Sequence, residues 1–535
     1  MNILMLATFL AAAPTAQAAA PDAQPNVIFF LSDDHRADVL GCAGHPIVKT
    51  PHIDALAAEG VRYTNAFVTT SICAASRATI LSGLVERSHR FTFGTPPLAE
   101  SLCDASYPAR LRANGYRTGF VGKFGVKVAG GRATINRMFD SFVMLGYPYV
   151  KTQADGTTRH LTDITGDHAI EFIRTNPSGT PFCLSVSFNA AHAVDGDKLN
   201  HYPFPPTEAA LYEGVAMPRP RLDGDTFFDR QPEFLKSSMN RERYFWRWDT
   251  PEKYDHNLRN YYRMLSGLDR NIGRVMHELE ASGLADNTVI IFMGDNGYYM
   301  GERGFAGKWS HFDESLRVPL VVYDPRAAGS GGLAEDAIAL NVDVAPTILG
   351  LAGVDAGAAP ATAGAGLALT SPVFGEREGF YCEHRMRHPD IPQWEGYRTR
   401  EFKYVRYAGQ TEGAELLYDL VADPDELTNL AADRVHRKTL RTMRRACDDH
   451  SKAYASQGAP VPRVLLLGDS ISMGYHAFVV DDLPDALVVR PGENCAGTTK
   501  GSEKIDSWLG IAGGGFDVIH FNFGLHDLKR VKPDG

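Results

Sequence analysis

The sequence predicts an α/β protein: a mostly parallel sheet sandwiched by helices, then a small antiparallel subdomain, then part of a second α/β unit. Three observations carry this expectation. Apolar runs of strand length alternate with helical periodicities between residues 26 and 293, the pattern of strands covered on both faces by crossover helices. Polar residues gather at the C-terminal ends of those runs, where open α/β sheets bind ligands. The texture changes after the glycine- and alanine-rich stretch 352–368, and again after 457–462.

The elements follow in order. Residues 26–32 (NVIFFLS) form a buried strand that ends directly in Asp33-Asp34. Helical patterns lie at 51–59, closing at Gly60, and at 105–114, closing at Gly115. Strand 117–122 precedes Lys123, and strand 182–188 precedes Asn189 to His192. A helix over 257–282 carries Leu258, Tyr261, Leu265, Leu268, Ile272, Val275 and Leu279 at steps of three and four and closes at Gly283. Strand 288–293 then delivers Gly294-Asp295-Asn296. Beyond residue 368 come strand-like runs at 397–407 and 415–420 and a helix over 430–456. Strands at 464–467, 486–489 and 516–523 open the last unit. The expected divisions are 25–355, 370–456 and 462–535.

At 535 residues the chain exceeds one compact core, and 44% hydrophobic with 22% charged residues predicts a folded protein. A net charge of -10 argues against non-specific nucleic-acid binding but not against an anionic substrate, which feels only its own pocket. Residues 1–20 run apolar and end in small residues, which reads as a secretory signal peptide, so the mature protein is expected to be secreted or periplasmic. No later segment reads as a membrane span. Seven sparse cysteines exclude a disulfide framework, and Cys73 is the one with chemical surroundings.

Four separated clusters complement one another: Asp33-Asp34, Cys73-Ala74-Ala75-Ser76-Arg77, His192, and Asp295-Asn296 with Lys308. Carboxylates and an amide oxygen are hard ligands suited to calcium or magnesium, and no Cys/His spacing suits zinc. Taken singly each has a bland reading, as a turn, a cap or a core thiol.

Taken together they resemble the type I sulfatase family. Cys73-Ala74-Ala75-Ser76-Arg77, continued by TILSG, is similar to that family's Cys-x-Pro/Ala-x-Arg signature, in which the cysteine becomes formylglycine. NVIFFLSDD, TPHIDALAAEG, GKF at Lys123, MGDNG, Gly307-Lys308, RVPL, YRTREFKYV and LLYDLVADPDELTNLA are also family-like, in order, over about 25–455. The resemblance implies a sulfuric ester hydrolase acting on a sulfated carbohydrate after a formylglycine-generating or related maturation enzyme has converted Cys73. It implies Ca2+ held by Asp33, Asp34, Asp295, Asn296 and residue 73. Arg77, Lys123 and Lys308 would bind sulfate oxygens, and His192 would protonate the departing alcohol.

One place departs from the pattern. Gly122-Lys123-Phe124-Gly125 stands where most sulfatases read Gly-Lys-Trp-His, which leaves the family's base unassigned, with His89 as the nearest candidate in sequence. Residues 465–472 (LLLGDSIS), Asn494–Gly497 and NFGLHD at 522–527 resemble the SGNH hydrolase family, with Ser470 in the nucleophile's place and Gly497 as an oxyanion donor. His526 replaces the oxyanion asparagine and no Asp-x-x-His follows, so Ser470 is expected to be silent. Two alternatives stand beside the main reading: a phosphodiester or phosphonate ester hydrolase of the same superfamily, and a non-catalytic sulfated-glycan binder.

Overall fold

Eight strands make the central sheet of the computed structural model, which describes residues 24–94, 96–327, 331–355, 366–410, 413–457, 463–483, 486–511, 516 and 518–522. They are β1 (Asn26–Ser32), β2 (Val61–Phe67), β3 (Arg117–Gly122), β4 (Ser141–Met144), β5 (Phe182–Ser187), β6 (Thr288–Gly294), β7 (Leu320–Tyr323) and β8 (Leu333–Leu340). Their order is β8-β2-β7-β6-β1-β5-β3-β4. Neighbours run parallel except for β7, which opposes both β6 and β2. The chain between Asp295 and Pro319 stays at the carboxyl end of β6, so the next strand can only return in the opposite direction. The predicted fold class holds.

Strand β1 shows why the sheet is buried on both sides. Val27, Phe29 and Leu31 enter one apolar cluster and Ile28 and Phe30 the other, because successive side chains leave a strand on opposite faces. Each such side chain contributes roughly 1.5–3 kcal/mol of burial. Helix α1 (Pro51–Glu59) starts with proline and stops at Gly60. Helix α2 (Cys73–Ser82) has nine of its ten residues buried, which Ala74, Ala75 and Ala78 permit by letting its backbone approach its neighbours. It leads into the short α3 (Glu86–His89). Helix α4 (Met239–Arg247) precedes the long α5 (Pro251–Ala281). The latter starts six residues before the periodicity predicts, because Thr250 caps it by accepting from Lys253 N and Pro251 supplies the first turn.

A four-stranded antiparallel sheet follows: β9 (Gly379–His384), β10 (Trp394–Thr399), β11 (Phe402–Tyr407) and β12 (Glu415–Asp419). The run 397–407, read as one strand, is two strands joined by a tight turn at Arg400-Glu401. Helix α6 (Arg437–Gln457) covers this sheet through Leu440, Met443, Cys447 and Tyr454. It begins later than the expected residue 430. Strands β13 (Arg463–Gly468), β14 (Leu487–Val489) and β15 (Val518–Asn522) form a separate parallel sheet, with helices α7 (Ser470–Asp482) and α8 (Thr498–Leu509) between them. Sequence reading missed both of these helices and β2, β4, β7 and β8. Residues 1–20 and Gly524 to Asp527, on which the signal-peptide and oxyanion readings rest, lie outside the described residues. Among the described residues no helix is long and apolar enough to cross a membrane, and no cysteine is joined in a disulfide.

Candidate active site

The carboxyl ends of four parallel strands converge on the first residue of α2. Strand β1 delivers Asp33 and Asp34, β3 delivers Lys123, β5 leads to His192, and β6 delivers Asp295 and Asn296. The close approach of β3 to β5 needs Gly122: its φ is +109°, and a Cβ there would lie 1.9 Å from the Ser187 carbonyl oxygen. All nine residues predicted for the site are brought together. Ligand atoms of Asp33, Cys73 and Asp295 lie within 4.8 Å of one another, as do those of Asp33, Asp34 and His192.

Each carboxylate meets a cation. Arg77 Nε donates to Asp295 Oδ2 at 2.8 Å and its Nη2 lies 3.4 Å from Asp33 Oδ2. Lys123 Nζ pairs with Asp33, and Lys308 Nζ pairs with Asp34. Asp34 N donates to Asp295 Oδ1 at 3.2 Å, and Asn296 Nδ2 donates to Asp34 Oδ1 at 2.7 Å. The group is almost wholly buried: Asp33, Asp295 and Asn296 have no exposed surface, and Cys73 keeps 7%.

Burial and charge then set the titrations. Burial raises the Asp33 carboxyl, but Lys123, His192, Arg77 and Lys308 outweigh it and hold it well below the usual range. Asp295 goes the other way, to about 6, through burial and the like charge of Asp33. Burial and Lys123 push the His192 imidazole down to about 4 against the pull of Asp34 and Asp33.

Two oxygens are left over. Asp33 Oδ1 and Asn296 Oδ1 are buried with no hydrogen-bond partner. An unmet buried acceptor costs roughly 1–3 kcal/mol, and two of them beside three carboxylates suit a hard cation that accepts only oxygen donors. The donor set therefore fits a divalent ion such as calcium.

Two corrections concern the unassigned base. Gly125 has φ +71°, and a Cβ on it would lie 2.9 Å from Arg77 Cδ, so the Arg77 side chain crosses the space that a larger residue would need. His89 is not a substitute. Its ring is buried in the α2–α3 packing, with Nε2 3.0 Å from Thr79 Oγ1 and Nδ1 accepting from Phe91 N, and burial followed by Arg385 lowers it to about 3.

Sequence reading missed other residues at the site. Tyr147 Oη lies 2.6 Å from His192 Nδ1. Arg243 pairs with Asp195 at 2.7 Å and stacks on Trp309, while Arg247 is buried against the same aspartate. Arg247 and Trp248 are both buried in the interior. The site opens into a cleft of about 1340 Å³ whose walls include Cys73, His192, Lys308, Arg243 and Trp309. Ser470, by contrast, is exposed at the start of α7, where Asp469 caps the helix by accepting from Ile471 N at 2.9 Å. No described side chain is positioned to take its proton.

Comparison with known proteins fits this geometry. The Sulfatase family model matches residues 25–354, and the model described as N-sulphoglucosamine sulphohydrolase, C-terminal, matches 301–453. The chain is 27% identical over 504 residues to an N-acetylglucosamine-6-O-sulfatase of Bacteroides thetaiotaomicron, covering 81% of this chain and 87% of that one. It is 27% identical to an ulvan-active sulfatase of Formosa agariphila, covering 76% and 77%. A protein solved in complex with its substrate D-glucosamine-2-N,6-O-disulfate shares the fold at TM-score 0.68 and 23% identity, covering 81% and 98%. A phosphonate monoester hydrolase of Agrobacterium radiobacter does so at TM-score 0.60 and 23% identity, covering 81% and 96%.

Proposed function

From the premise that this chain belongs to the type I sulfatase family of the alkaline phosphatase superfamily, we propose that it releases sulfate from a sulfated carbohydrate, using a formylglycine made from Cys73 and a calcium ion. The observation that carries the reading is Cys73 itself. It is the first residue of a buried helix, its sulfur lies within 4.8 Å of the Asp33 and Asp295 carboxylates, and Arg77, Lys123 and Lys308 surround the same point.

Asp33, Asp34, Asp295 and Asn296 would hold the ion together with residue 73, and the two unmet oxygens are the reason to expect it. When present, the ion supplies Lewis acidity and the modified residue 73 a nucleophilic hydroxyl, a function that the resting thiol lacks. Lys123, Lys308 and Arg77 would bind the ester's non-bridging oxygens and offset the charge that grows there in the transition state. His192 would protonate the leaving oxygen. It must first gain a proton, and an anionic ester beside it favours the imidazolium just as Asp34 does. The named sulfatase relatives support a carbohydrate substrate. The N-terminal residues 1–20 support export to the periplasm or exterior, and the three divisions at 25–355, 370–456 and 462–535 remain our reading of the chain.

Matched sulfate and phosphodiester substrates with one common leaving group test the assignment. The sulfate ester should show the higher kcat/KM. A phosphodiester preference would replace the sulfatase reading with a phosphonate or phosphodiester hydrolase, and glycan binding without sulfate release would make the protein a binder.

A further inference from the structure

The cleft that leads away from Cys73 is far more basic than the chain. Eight of its lining side chains are Lys or Arg and two are Asp or Glu, in a protein of net charge -10. Several of those cations are not needed to neutralise the fold. Arg90, at the end of α3, has no carboxylate within ion-pair distance among the described residues, and neither has the exposed Arg387. Arg385 comes only to 4.0 Å of Glu383, a carboxylate already held by Arg87 at 2.9 Å. Beside them His384 lines the same cleft with no exposed surface, and neither of its ring nitrogens has a hydrogen-bond partner.

Like charges gathered with too few counter-charges cost free energy unless a ligand removes the cost. The cost registers on Arg90, which burial and then the neighbouring guanidinium groups of Arg385 and Arg463 push below its ordinary range. A buried, unpartnered imidazole is likewise expensive, and it offers one N–H to an incoming acceptor. The two observations are independent: the guanidinium groups ask for an anion, and the imidazole N–H asks for an acceptor beside them.

We propose that Arg90, Arg385 and Arg387, with His384, form a second anion subsite in the cleft, and that the substrate is a polyanionic oligosaccharide held by a second sulfate or carboxylate while the first sulfate sits at Cys73. This rests on the reading of the Cys73 pocket as a sulfate ester site. The subsite is assembled from α3 and from the end of β9 with the loop that follows it, so the antiparallel sheet contributes to substrate choice and not only to packing.

Calorimetric titration of Cys73→Ala protein, which cannot turn substrate over, tests the subsite with two probes: a fully sulfated disaccharide and an unsulfated di-uronate. Arg385→Gln, Arg90→Gln and Arg387→Gln should each weaken the sulfated probe by about tenfold or more, because each removes a charge-assisted contact. Arg387 is exposed, so its variant tests the subsite without risk to folding. Arg137→Gln, which removes an equal charge elsewhere on the surface, should change affinity less than about twofold, as screening predicts for a distant charge. A loss confined to the sulfated probe identifies the second group as sulfate, and a loss shared by the di-uronate admits a carboxylate. If the three cleft variants match Arg137→Gln with both probes, the subsite does not exist. Absence of sulfate release by the native protein would remove the hydrolase reading yet leave this binding result standing.

Discussion

The phenol oxygen of Tyr147 lies 2.6 Å from Nδ1 of His192, while Nε2 of the same ring faces Asp34 Oδ2 at 3.9 Å. Nδ1 is thereby engaged, by Tyr147 and by the Ala193 carbonyl at 2.8 Å, and Nε2 is the nitrogen left to face a substrate. Tyr147→Phe should lower kcat on an alkyl sulfate about tenfold, with a smaller effect on 4-nitrophenyl sulfate, whose leaving group needs little protonation. Equal losses on both substrates would reduce Tyr147 to a structural role.

His192→Ala extends the same comparison. Loss of a general acid should cost roughly 10²–10⁴ in kcat on the alkyl ester and much less on the nitrophenyl ester. Parallel steady-state assays on the two esters check it, and retention of alkyl sulfate turnover would remove His192 from the chemistry.

The strand-end part of this site was legible in the sequence, and the cleft around it was not. A buried apolar run that stops at Asp33-Asp34 or at Asp295-Asn296 announces its own polar end. Tyr147, Asp195, Arg243 and Arg385 sit on excursions whose positions depend on long-range packing, and nothing local marks them. The same limit applies to the fold. Arg400-Glu401 makes a hairpin turn with no glycine, proline or asparagine to signal it, and β7 runs antiparallel because of where the preceding loop lies. Gly125 leaves the base unassigned in the sequence, and only the structure shows the Arg77 side chain crossing the space beside it.

Removal of divalent metal should abolish turnover, and added calcium should raise the melting temperature of the native protein. Asp295→Asn should lose that calcium-dependent rise but should not melt lower without calcium, since burial and the like charge of Asp33 already disfavour the carboxylate it neutralises and Arg77 keeps Asp33 as a partner. Scanning calorimetry with and without calcium reads both outcomes. Full activity in chelator would overturn the metal assignment.

Asp269 gives a pH dependence remote from the site. It is buried, accepts the His52 and Ile53 amides at the start of α1, and burial raises it to about 7 despite those bonds. A carboxyl raised in the folded state binds its proton more tightly there than in the unfolded chain, whose value is near 3.8. Its contribution to stability is therefore complete below that pH and is lost as pH rises towards 7, by up to about 4 kcal/mol. Denaturant titrations of the native protein and Asp269→Asn should diverge between those two pH values, with the variant lacking this downward slope.

Ser470→Ala should leave sulfate release unchanged, and an ester-hydrolysis assay should find no turnover that the substitution removes. The hydroxyl is exposed and has no described base to activate it. Esterase activity that vanished in the variant would show a complete second site.

The most direct test of the whole account is the mass of the peptide that carries residue 73, taken from catalytically active protein made in a host with the maturation enzyme. The account predicts an aldehyde in place of the cysteine CH2–SH group, with sulfate release rising in proportion to the converted fraction. Active protein in which residue 73 is wholly unmodified thiol would contradict it.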